Sequence, residues 1–353
     1  MKGESLLGLM FVLLGSIIGS EWLFGALYAS QIAGPAAIIA WVAGGLVMLL
    51  LALVHAELGS MYPVAGGSAR YPHFSFGSTV GFTIGWILCA ELRNGWAQLS
   101  FPGAAGPFAG LAIAVGAGWL ATLIYIDAAV SPGGTGLLYS ASSSRVLFAM
   151  ARNRYIPSVF GILSERGVPI VSIFFNFLVG CIIFLPFPGW QQLVGFITAG
   201  AVMGYATVPL AFGAMRRQEP DHPRPFRLPA GEVLAPIAFI AANLLIYWAG
   251  WTVIWKLFVT IALGFVLLAV ARATNRSDRP LEWRGPTWLW TYLIGMALIS
   301  YLGAFSEGLG IIPFGWDVLV VVVFSIAIYA LALSVRLTPE EVRRHVANAR
   351  EEA

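Results

Sequence analysis

Apolar residues run almost unbroken from Leu6 to Gln31, and the polar interruption inside that run is Gly15-Ser16-Ile17-Ile18-Gly19-Ser20-Glu21. Because a membrane span needs roughly 20 apolar residues, stretches nearly free of charge between polar or basic boundaries are expected to be spans. Ten follow. The first is Leu6 to Gln31, ended by Gly34-Pro35, and the second Ala36 to Ala56. The third, Val80 to Ala90, is short, and the fourth lies within Ala104 to Val130. The fifth and sixth share the uncharged stretch between Arg166 and Arg216, divided at Pro186-Phe187-Pro188-Gly189. Val233 to Trp251, Thr252 to Ala271, Trp288 to Tyr301 and Val318 to Val335 complete the set.

Composition agrees with that pattern: 59% of the 353 residues are hydrophobic and 10% charged, against about a quarter charged in soluble domains. The fold expected is an all-α integral membrane protein of about ten transmembrane helices. Cys89 and Cys181 both lie in apolar runs, which predicts buried thiols rather than a disulfide framework or metal site. The net charge of +3 matters less than its distribution. With the N-terminus in the cytoplasm and ten alternating spans, Arg93 and Lys256 alone of the 20 Lys and Arg face outward. This asymmetry predicts a multi-pass protein of the plasma membrane with both termini cytoplasmic, and it supports the short third span. Thr338-Pro339-Glu340-Glu341 supplies an N-cap, a first-turn proline and acidic residues for a tail helix to about Arg350, read as solvated.

Chemistry is concentrated in the interrupted first span. Backbone groups cannot meet water at membrane depth, so glycines and serines there predict a broken helix lining a cavity. The free amides and hydroxyls of Gly15, Ser16, Ile18, Gly19 and Ser20 would hold the carboxylate and amino group of a substrate. The alternative is close helix packing through small residues. Glu21 is costly to ionise within a span and is a candidate for a coupling proton, or else a carboxylate solvated in an aqueous vestibule. Asp127 precedes Ser131-Pro132-Gly133-Gly134, where a kink is expected, and would either carry a proton or cap backbone freed by the kink. Glu57 is expected to anchor a loop by pairing with Arg70 or another loop arginine. Asn176, Gln191, Gln192 and Tyr205 are explained by hydrogen bonds between helices. No zinc spacing or phosphate loop occurs: Gly133-Gly134-Thr135-Gly136 lacks the Lys of a nucleotide site. No cofactor, metal, enzyme activity or nucleic-acid partner is expected.

Several stretches are familiar. Gly15-Ser16-Ile17-Ile18-Gly19-Ser20, Glu57-Leu58-Gly59-Ser60-Met61-Tyr62-Pro63 with Gly66-Gly67-Ser68, Ser144-Arg145-Val146-Leu147-Phe148-Ala149, and Gly167-Val168-Pro169 resemble the amino acid/polyamine/organocation superfamily of permeases. Gly118-Trp119-Leu120-Ala121-Thr122, Asp127-Ala128-Ala129-Val130 and Ser300-Tyr301-Leu302-Gly303 resemble its aspartate-proton symporter branch. The resemblance implies a partial inverted-repeat permease fold with a broken first helix. It assigns residues 1–92 to permease helices one to three, 93–335 to helix eight onward and 336–353 to a cytoplasmic tail, with about four internal spans lacking. It also implies secondary transport of aspartate or a similar amino acid, coupled to protons. Loss of the second broken helix leaves the alternative of a shortened, non-transporting relative with a structural or partner-binding role. A homo-oligomer or a complementing chain would restore the missing spans.

Overall fold

A computed structural model describes residues 21–63, 67–91, 107–152, 156–165, 167–183, 190–273 and 286–351. Among these residues the regular elements are all helical. In chain order they are α1 (Glu21–Ala33), α2 (Ala37–Met61), α3 (Gly67–Phe76), α4 (Ser78–Glu91), α5 (Pro107–Ala114), α6 (Gly118–Arg152) and α7 (Ile170–Ile183). The remainder are α8 (Trp190–Gln218), α9 (Gly231–Trp248), α10 (Trp251–Ala273), α11 (Thr287–Leu302), α12 (Trp316–Ser334) and α13 (Pro339–Glu351).

Among the described residues, five stretches are long and apolar enough to cross a membrane: Tyr28–Met61, Val194–Gln218, Gly231–Trp248, Trp251–Ala273 and Trp316–Ser334. Ser78–Ile87, Ile170–Val179 and Thr287–Leu302 are apolar but shorter. These eight fall on the expected second, third and fifth to tenth spans. Most of the first span, from Leu6 through Ser20, lies outside the described residues. The fourth departs from expectation. Gly116, at φ +79, follows α5, and α6 then begins at Gly118. It runs unbroken through Pro132, Gly133 and Gly134 to Arg152, so any bend there occurs without ending the helix.

The chain divides into two compact units. One takes residues 1–45, 92–144 and 173–193. Here Ala128 of α6 packs against Tyr28 of α1 and Ile124. Ile124 also covers Ala109 and Ala112 of α5 and Ala121 of α6, joining the two helices on either side of the Gly116 break. Asn176 donates to Ser143 Oγ at 2.8 Å, the interhelical bond expected of it. On the early part of α2, Ile38, Ile39, Trp41 and Val42 are exposed, an apolar face suited to lipid.

The other unit takes residues 46–91, 145–172 and 194–353. Helix α4 seats on α10: Trp86 Nε1 donates to the Thr260 carbonyl at 2.8 Å, and its indole lies so close to Gly264 that a Cβ there would stand 2.4 Å from the ring. Helix α12 packs on α9 and α11. The tail helix α13 has the expected capping box, with Thr338 Oγ1 accepting from Glu341 N at 3.3 Å and Glu341 Oε2 accepting from Thr338 N at 2.8 Å. It is not simply solvated. Val342 is fully buried, α13 packs on α3, and the His345 ring meets His73 edge-on at 4.7 Å.

The anchor of this unit is Glu57, near the end of α2 and fully buried. Arg216, near the end of α8, grips it with both arms, Nε to Oε1 at 2.9 Å and Nη2 to Oε2 at 2.8 Å. The Leu228 amide donates to Oε2 at 2.7 Å, and Arg216 Nη2 returns to the Leu228 carbonyl at 2.8 Å. Arg224 adds an ion pair at 3.3 Å, while its other nitrogens bind the carbonyls of Glu219 and His222. Burial lowers the pKa of Arg224 and the Glu57 charge opposes that shift. The sequence pointed to Arg70 or another loop arginine, and the partners are Arg216 and Arg224. Breaking a buried pair leaves an uncompensated charge, so Glu57→Gln is expected to cost about 3–5 kcal/mol. Unfolding in detergent followed by tryptophan fluorescence checks this, and an unchanged midpoint contradicts it.

Candidate functional site

Gly15, Ser16, Ile18, Gly19 and Ser20 lie outside the described residues. Glu21 opens α1, and its side chain is likewise outside the description. What the structure does give is the neighbour of that helix. Tyr28 follows Glu21 by seven residues, two turns along one face, and it packs against Ala128 of α6. Asp127, the residue before Ala128, is half-buried, and its Oδ2 is buried with no hydrogen-bond partner among the described residues. Helix α1, which continues the glycine-serine segment, thus lies beside the helix that carries the acid.

Unsatisfied carboxylate oxygen is expensive in an apolar setting, so its persistence calls for a reason. The other buried acids provide the contrast. Both oxygens of Glu57 are filled by Arg216 and Leu228. Asp317, at the start of α12 and fully buried, accepts from Gly315 N and Val318 N at 2.8 Å through Oδ1 and from the Tyr247 hydroxyl at 2.6 Å through Oδ2. Those two carboxylates have the full complement of a structural group. Asp127 does not, which leaves it able to accept a proton or a substrate amine.

A second buried polar group spans three helices. Asn243 of α9 donates to Ser325 Oγ of α12 at 2.9 Å, and Asn243 Oδ1 accepts from the Tyr292 hydroxyl of α11 at 2.8 Å. Ser325 in turn donates to the Val321 carbonyl at 2.6 Å. Neither this triad nor Asp317 was singled out from the sequence. The available signal was a lone Asn, Tyr and Ser near the middle of three separate spans, and an acid two residues after Gly315. Among the described residues no cluster of His, Cys, Asp and Glu could hold a metal ion.

The partition of roles is testable by stability. Asn243→Ala strands the Tyr292 hydroxyl and is expected to cost about 1–3 kcal/mol. Asp127→Asn removes a group that bonds to nothing described and should stay within about 0.5 kcal/mol of the parent. Parallel unfolding curves of the two variants decide it, and a large loss in Asp127→Asn would mark that residue as structural.

Comparison with known proteins bears on what such a site handles. Models described as amino acid permease match residues 94–306 and residues 8–100. The glutamate/serine transporter AimA of Bacillus subtilis is 29% identical over 496 residues, covering 92% of each chain. The aspartate-proton symporter of the same organism is 26% identical over 498 residues, covering 93% of this chain and 95% of its own. The branched-chain amino acid permease BcaP, also of B. subtilis, is 26% identical over 191 residues, 52% of this chain and 40% of its own. No solved structure matches significantly. The alignment to AimA is 496 residues long against 353 in this chain, so at least 143 positions of that relative have no counterpart here.

Proposed function

Because the chain belongs to the amino acid permease family, we propose that it carries amino acids across the plasma membrane by secondary transport, with aspartate or a similar amino acid as substrate and protons as the coupling ion. Transport of amino acids follows from the family. The finer reading is supported by two relatives that match nearly the whole chain, one named for glutamate and serine and one for aspartate and protons.

In this reading the amides and hydroxyls of Gly15, Ser16, Ile18, Gly19 and Ser20 hold the α-carboxylate and amino group, because a helix interrupted at mid-membrane offers both free donors and free acceptors. Asp127 carries the proton, and the observation behind that choice is its unpartnered Oδ2 beside the α1 packing contact. Glu21, near the glycine-serine segment in the sequence, is the second candidate. The distribution of Lys and Arg supports both termini facing the cytoplasm.

The missing 143 or more positions favour a second reading. At roughly 20 residues per span plus connections, they correspond to about four spans. The two family matches meet at residues 94–100, which supports residues 1–92 and 93–335 as the parts on either side of the gap. Without the second broken helix, a single chain has half a binding site. A second copy or a complementing chain would then supply the rest, and without either the protein is a non-transporting relative with a structural or partner-binding role.

Proteoliposomes containing this chain alone, with labelled aspartate, glutamate or serine added outside, test whether it transports without a different, complementing chain. Proton-coupled transport predicts accumulation that needs an inward proton gradient and falls about a hundredfold or more in Asp127→Asn, the range for loss of a proton-transfer group. Glu21→Gln carrying that loss instead would move the proton role there. No uptake above empty vesicles, from folded protein, overturns transport by the chain on its own.

A further inference from the structure

A cavity of about 440 Å³ opens between α9 and α12 at the end where α8 finishes. Its charged residues are gathered at one end: Arg217 is the penultimate residue of α8, Glu232 the second of α9, and Arg336 follows α12 by two residues. Inward from these, the walls are Pro236 and Ile240 of α9 and Ile326 and Leu333 of α12. Ile240 lies eight residues beyond Glu232, so the groove reaches about 12 Å from its charged mouth. Ser325 contributes at the inner end, but its hydroxyl is already engaged by Val321 and Asn243. Apart from the Tyr329 hydroxyl, which lies against Gly213 of α8, the depth of the groove presents hydrocarbon.

We infer that this cavity is a phospholipid-binding site, with the phosphodiester held between Arg217 and Arg336 and one acyl chain laid along Ile240, Ile326 and Leu333. Two guanidinium groups set against one carboxylate leave a single net positive charge, which a phosphodiester monoanion complements. A free phosphate satisfies the mouth but leaves an apolar groove empty. An amino acid is too short and too polar for its inner half. Basic residues at the end of membrane helices with an apolar cleft behind them are the arrangement that draws a lipid headgroup. Arg217 is exposed, and Arg336 is half-buried and donates from Nη1 to the Leu333 carbonyl, which holds its guanidinium at the mouth. The topology proposed above decides only that the lipid comes from the cytoplasmic leaflet. Binding itself does not depend on transport.

The test follows the unfolding temperature of the full chain in a non-ionic detergent during titration with dioleoyl phosphatidylglycerol. Dioleoylglycerol, inorganic phosphate and aspartate serve as separate titrants. Phosphatidylglycerol should raise the temperature saturably and the other three should not. Arg217→Gln should raise the half-saturating lipid concentration about fivefold, which is about 1 kcal/mol for one basic residue. Ala330→Phe, which fills the groove without touching a charge, should weaken binding too, and Arg344→Gln on the exposed face of α13 should not. The inference is overturned if Arg217→Gln and Ala330→Phe respond like the parent, or if diacylglycerol, phosphate or aspartate reproduces the shift.

Discussion

A carboxylate with no exposure to solvent is tolerated in a fold only when every lone pair is answered, and Glu57 is answered three ways. Arg216 supplies a two-armed bond, Leu228 a backbone amide and Arg224 a further positive charge. Because those groups come from the end of α8 and the connection to α9, the pair ties the end of α2 to the start of the α9–α12 bundle. The surrounding residues are shaped around it. Arg216 lies over the Phe212 ring at 4.6 Å, and a Cβ on Gly231 would stand 2.8 Å from Arg216 Nη2 and 2.6 Å from Phe212. Glycine is therefore the residue that lets α9 begin there.

The same constraint sorts the other buried polar groups. Asp317 and the Asn243–Ser325–Tyr292 triad lie among apolar neighbours with partners on both sides, and they behave as fastenings between α9, α11 and α12. Asp127 differs from Glu57 and Asp317 because one of its oxygens has no hydrogen-bond partner. A carboxylate that is not needed to hold helices together, on a helix packed against α1, is available for chemistry. This is why the proposed proton role falls on Asp127 rather than on the better-buried acids.

What the sequence made legible was local. Span positions follow from runs of apolar residues, and the capping box at Thr338 and Glu341 from a four-residue pattern, so both were readable. The anchoring role of Glu57 was readable too, since a lone acid at a span end beside basic loops has few other uses. Its partners were not, because Arg216 is 159 residues away in the chain and only the fold brings the two together. Asp317 is not legible from the apolar pattern because it precedes Val318, where the apolar run begins. The break at Gly116 and the continuous helix through Pro132 reverse the order that local propensity suggests. The contacts of Ala109, Ala112 and Ala121 with Ile124 hold α5 and α6 together across that break. The tail helix carried the signal for its cap but not for its docking, since α13 packs on α3 and His345 meets His73 there, 272 residues away in the chain.

The most direct test of the account is the number of protons taken up when aspartate binds, measured by calorimetry of the purified chain in buffers of different ionisation enthalpy. Proton-coupled binding through Asp127 predicts uptake in the parent and in Asp317→Asn, and none in Asp127→Asn that still binds substrate. Uptake that persists unchanged in Asp127→Asn, or the absence of any aspartate binding by folded protein, would contradict it.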